Sequence, residues 1–129
     1  NQLQIAAAGH PAPLLVLPDG QVEEIKVGGL PVGFGDGEVR EEIMVEIPAG
    51  AALILYSDGI TEQPDPKGKR FGLSRLKKTL GAHAHEGITG MVDAAWNELA
   101  SFRGKAFQDD DMSLLGVNFS VEKNTKIES

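Results

Sequence analysis

The chain has 129 residues, 41% of them hydrophobic, with a formal net charge of −7 and no cysteine. That length holds one modest core rather than two domains, and the missing cysteines remove disulfides and thiolate metal sites, leaving oxygen or histidine donors for any metal. The 12 basic residues form no long run, which argues against a nucleic-acid surface, and no stretch resembles a membrane span or a signal peptide, so a soluble, cytoplasmic protein is expected.

In chain order, residues 3–7, 14–17 and 22–26 read as strands, with Pro18-Asp19-Gly20 as a turn between the last two, which suggests a meander. Residues 42–47 alternate loosely, Pro48-Ala49-Gly50 punctuates, and residues 51–56 form a more buried strand; a hairpin is predicted there. This strand runs into Ser57-Asp58-Gly59-Ile60-Thr61-Glu62. A buried strand ending in Asp-Gly brings a carboxylate to the rim of a sheet, while the glycine lets the backbone turn away beside it.

The period then changes. Leu73, Leu76, Lys77 and Leu80 mark one helical face with Gly81 as its stop. Ile88, Met91, Val92, Ala95, Trp96, Leu99 and Phe102 mark a longer helix with Thr89 as its cap, and the stripe Met91, Ala95, Trp96, Leu99 reads as core packing rather than a ligand site. The cluster Asp109-Asp110-Asp111 leads into a last strand over residues 112–119, after which residues 120–129 are a polar tail. One carboxylate leaves a strand and others enter one, so neighbouring strands would let these acids converge on a hard cation; a plain Asp-Gly turn and a solvated acidic turn are the structural alternatives.

Other polar groups read as structure first. Lys67, Lys69 and Arg70 suit a solvated loop better than a phosphate site, and His83 and His85 read as exposed loop histidines. Gly9, Gly28, Gly29 and Gly33 read as turn residues, because their spacing makes neither a Walker loop nor a dinucleotide fingerprint. His10, in a Gly-His-Pro turn, is a structural hydrogen-bonding group or a candidate acid for a leaving oxygen. Ser57 and Thr61 are placed to hydrogen-bond around the aspartate.

Ala8-Gly9-His10-Pro11, Gly28-Gly29-Leu30-Pro31-Val32-Gly33, Leu55-Tyr56-Ser57-Asp58-Gly59-Ile60-Thr61-Glu62, Phe71-Gly72 and Asp110-Asp111-Met112-Ser113-Leu114-Leu115 stand in an order and spacing that resemble the SpoIIE/RsbU-type branch of the metal-dependent (PPM) serine/threonine protein phosphatases. The resemblance covers residues 3–119. It implies an α+β fold, a layered αββα sandwich of mainly antiparallel sheets flanked by helices, of which residues 1–119 would be the C-terminal half to two-thirds. It also implies two Mn2+ or Mg2+ ions and a metal-activated water that hydrolyses phosphoserine or phosphothreonine. Carried over by position, Asp58 and Asp110 are candidate ligands of one ion, Asp111 is a weaker candidate, and Gly59 contributes neighbouring backbone.

The branch acts on phosphorylated anti-sigma-factor antagonists under upstream sensor or receiver domains, and the same partners are implied here. The family's earlier Gly-Asp motif has no match in these residues, so the chain is expected to be a portion of the domain, inactive alone. Its uncovered edges are expected to favour association with another chain, a homodimer included. Two other readings are a catalytically inactive binding module on the phosphatase scaffold and a receiver-like phosphoacceptor domain. The order of the single aspartate before the acidic pair argues against the receiver.

Overall fold

The computed structural model describes residues 1–28 and 42–119; the readings of Gly29 and Gly33, of Leu30, Pro31 and Val32 between them, and of the tail over residues 120–129 lie outside the described residues. Four strands, β2 (Leu14–Val16), β3 (Val22–Glu24), β5 (Ala52–Tyr56) and β6 (Leu114–Asn118), form one sheet in the order β3-β2-β5-β6. Two more, β1 (Gln2–Ala6) and β4 (Glu42–Glu46), form a second. Every strand pairing among the described residues is antiparallel, which removes the receiver-like reading with its parallel βα units.

The central strands are apolar on both faces because both faces are covered. Leu14, Val16, Ala52, Ile54 and Tyr56 point to the helix α2 (Leu73–Ala82) and the longer helix α3 (Gly87–Arg103), where they meet Leu76, Leu80, Met91, Ala95 and Leu99. The alternate residues Leu15 and Leu53 point the other way and pack with Ile47 and Ala51 against Leu3, Ile5, Ile43 and Val45 of the two-stranded sheet. Helices, sheet and sheet thus form three successive layers of an αββα sandwich with two cores, and each fully buried Leu or Ile adds about 1.5–3 kcal/mol. Of the stripe Met91, Ala95, Trp96, Leu99, three residues are buried core and Trp96 is partly buried against it.

Two connections differ from the sequence reading. The expected hairpin does not form: β4 pairs with β1, and β5 pairs with β2 and β6. Strand β4 is half-exposed in strict alternation, whereas β5 is buried on both faces. Residues covered on one side belong to an outer layer, so the turn at Gly50 (φ 80°) carries the chain between layers. For the same reason the expected meander reduces to the β2–β3 hairpin, since β1 lies in the outer sheet.

The helix ends differ too. Gly81 does not stop α2 but sits inside it, where a Cβ would overlap the carbonyl oxygen of Gly20 in the β2–β3 turn. Glycine here permits backbone-to-backbone packing of helix on turn. Thr89 does not cap α3, because Gly87 (φ 76°) already ends a short 3₁₀ turn over Ala84–Glu86 and begins the helix, which leaves Thr89 within the first turn.

Candidate metal centre

Strand β5 delivers its chain to the end of the sheet, and Ser57 follows, then the four-residue helix α1 (Asp58–Thr61). Strand β6 runs antiparallel beside β5 with Tyr56 opposite Leu114, so the residues just before β6 lie beside the residues just after β5. Ser57 extends that pairing. Its N–H donates to the Ser113 carbonyl at 3.0 Å, and its Oγ accepts from the Ser113 N–H at 2.8 Å and donates to the Asp111 carbonyl at 3.3 Å.

Gly59 completes the junction. It is buried, and a Cβ on it would overlap the carbonyl oxygen of Asp111 and lie 2.9 Å from the carbonyl carbon. The backbones of the Asp58-Gly59 turn and of Asp110-Asp111 are therefore in direct contact, while Asp58, Asp109, Asp110 and Asp111 are exposed. Asp110 Oδ1 accepts the Asp111 N–H at 2.8 Å. Among the described residues no lysine or arginine pairs with any of these four aspartates. The result is a carboxylate-rich rim without a protein counter-charge.

Hard oxygen donors of this kind suit Mg2+ or Mn2+. Among the described residues no group of three or more His, Asp or Glu side chains forms a metal-binding cluster, so these carboxylates would supply at most part of an ion's shell. Below the rim, burial, together with the negative charges of Glu24 and Asp58, pushes the Tyr56 phenol above its ordinary value.

His10 is exposed in the loop between β1 and β2, where its Nδ1 donates to the Pro11 carbonyl at 2.8 Å, a local bond that favours the structural role. Thr61 Oγ1 donates to the Asp58 backbone carbonyl and Ser57 Oγ to the Asp111 backbone carbonyl, both at 3.3 Å, so the two hydroxyls bond around the aspartates through main-chain carbonyls. Lys67, Lys69 and Arg70 are exposed, and Asp65 Oδ1 organises their loop by accepting the N–H groups of Lys67 and Lys69. His85 is exposed as expected, but His83 is half-buried and meets Glu86 Oε2 at 2.7 Å.

Sequence reasoning missed Gln63, the fully buried polar side chain that follows this junction. The available signal was its place directly after the Asp-Gly block, where an amide enters a segment otherwise packed by Ile60 and Phe71.

Comparison with known proteins bears on the same residues. The family model described as stage II sporulation protein E (SpoIIE) matches residues 1–120. Protein IcfG of Synechocystis sp. is 29% identical over 117 residues, which span 91% of this chain and 18% of that protein. Among solved structures, the SiaA PP2C domain of Pseudomonas aeruginosa is 28% identical with a TM-score of 0.77, covering 92% of this chain and 46% of that one. The PP2C phosphatase domain of SpoIIE from Bacillus subtilis, with a fragment of its regulatory domain, shares the fold at 23% identity and a TM-score of 0.75, covering 92% and 34%. The chain thus spans less than half the length of these relatives.

Proposed function

The chain belongs to the stage II sporulation protein E family, and from that premise we propose that it supplies part of the metal centre of a serine/threonine protein phosphatase. The observation that carries the reading is the contact of the Asp58-Gly59 turn with the Asp110-Asp111 backbone at the joint end of β5 and β6. Its solved neighbours are PP2C-type phosphatase domains, and that family is metal-dependent.

In this reading Asp58 and Asp110 offer carboxylate oxygens to one Mn2+ or Mg2+, with Asp111 as an accessory donor. When bound, such an ion lowers the pKa of a coordinated water and offsets charge on a phosphoryl group. The chain's own contribution is positional. Ser57 ties the two strand ends together, and Gly59 lets the acidic backbone approach without a Cβ in the way. The remaining donors, including the family's Gly-Asp motif, would come from residues outside these 129.

The substrate class is a protein phosphorylated on serine or threonine, with an anti-sigma-factor antagonist as the favoured member and an upstream sensor or receiver domain as the source of control. A cytoplasmic location goes with that role; among the described residues no helix is long and apolar enough to cross a membrane. The test is phosphate release from a phosphoserine protein, in Mn2+, by a complete domain that contains this chain. Asp58→Asn and Asp110→Asn should each lower the rate at least about 100-fold at limiting metal. Turnover like the unaltered protein's in either variant would rule out the assigned roles.

A further inference from the structure

Gln63 stands just beyond Glu62, the C-cap of α1, and is 0% exposed. Its side-chain amide nitrogen donates to the carbonyl oxygens of Pro64 and Phe107, both at 2.9 Å, and its amide oxygen accepts from the Asp109 N–H at 3.4 Å. Both ends of the amide are engaged, and among the described residues no buried side-chain nitrogen or oxygen lacks a partner. A buried amide held this way has a defined orientation, because turning it would face donors to donors.

Its long-range partners all lie on the loop that joins α3 to β6. That loop contains no helix or strand and carries the three aspartates. At its near end no apolar side chain anchors it, since the Phe107 ring is 91% exposed, whereas Met112 at its far end packs on the helix-side core. Gln108 donates to the Asp110 carbonyl at 2.9 Å, a bond internal to the loop. Besides Met112 and a 3.5 Å bond from the Arg103 guanidinium to Gln108 Oε1, the loop is held at its far end by Ser57 and Gly59 and at its near end by Gln63, all three from the segment that brackets Asp58.

A buried glutamine can be no more than a satisfied core strut, whose loss weakens the whole fold evenly. The placement of these partners argues for something more local. We infer that Gln63 is a positioning residue that clamps residues 107–109 against the end of α1 and so sets where Asp110 stands relative to Asp58. The clamp itself is independent of any metal; its consequence for metal affinity rests on the reading proposed above.

The experiment is amide hydrogen exchange by NMR on this chain and on Gln63→Met, which keeps the length and removes the hydrogen bonds. Each sample is then titrated with Mn2+ and followed by broadening of the Asp58 and Asp110 amide signals. Gln63→Met should speed exchange of the Asp109 amide in this loop, whose N–H the glutamine accepts, by at least about 10-fold while β5 amides keep their protection. Apparent Mn2+ affinity should fall at least about 5-fold. Unchanged loop protection, or a loss spread equally over β5, overturns the inference, and so does a freed loop with undiminished affinity.

If the unaltered chain binds no Mn2+ while Gln63→Met still frees only the loop, the metal reading fails and the clamp is supported. If Gln63→Met does not fold, the unaltered chain carries the test. Its Asp109 amide should then exchange at least about 10-fold more slowly than that of Lys105, and equal rates overturn the clamp.

Discussion

Gly59 lies against the carbonyl of Asp111 with no space for a side chain between them. This contact joins the end of β5 to the approach of β6, and it places two acidic segments that are far apart in sequence at one corner of the fold.

Gly59→Ala should therefore cost more than helix propensity suggests. Alanine is normally favoured over glycine in a helix, but here its Cβ would overlap backbone that cannot rotate away. Overpacking of this kind costs about 1–3 kcal/mol, and the displaced loop should also weaken Mn2+ binding. Thermal unfolding with and without Mn2+ measures both; a variant as stable as the parent would show that the contact is loose.

Gly81→Ala should show the same reversal far from the metal corner. In an exposed helix the change would stabilise by up to about 1 kcal/mol. At this position a Cβ would overlap the Gly20 carbonyl, so destabilisation by about 1–2 kcal/mol is expected. A rise in denaturation midpoint would contradict the packing described between α2 and the β2–β3 turn.

The polypeptide of residues 1–129 should bind Mn2+ weakly. Two carboxylates offer a hard cation only part of its oxygen shell, so a dissociation constant on the order of 1 mM is expected, with at most one ion bound. Titration calorimetry checks this. Tight binding of two ions would mean that the described donors are not the whole site.

One ion pair links stability to pH. Lys77 Nζ meets Glu24 Oε2 at 2.8 Å, and this hydrogen bond holds the Glu24 carboxyl below its ordinary value. A depressed folded-state pKa gives stability that is present above the unfolded pKa and is lost as pH falls through the folded value. Both side chains are 29% exposed, so the pair contributes only about 0.5 kcal/mol. Lys77→Met should thus lower the unfolding midpoint near neutral pH, with the gap to the parent closing as pH drops below about 4. A gap that stays constant down to about pH 3 would assign the effect to lost packing instead.

Much of this was legible from residue order. The continuous apolar run of residues 51–56, its end at Asp58 and the stripe Met91, Ala95, Trp96, Leu99 were readable because periodicity is a local property, although the expected Asp-Gly turn is the start of helix α1. Which sheet each strand joins was not. Strand β4 and strand β5 are separated by a short turn and still occupy different layers, and only the burial of both faces of β5 decides that. The roles of Gly59, Gly81 and Gln63 were equally hidden. Each depends on a backbone group brought in from a distant segment, and a sequence records the residue but not what it will meet. The chain's local chemistry set where the carboxylates leave and enter the sheet, and the antiparallel pairing of β5 with β6 brought those segments together.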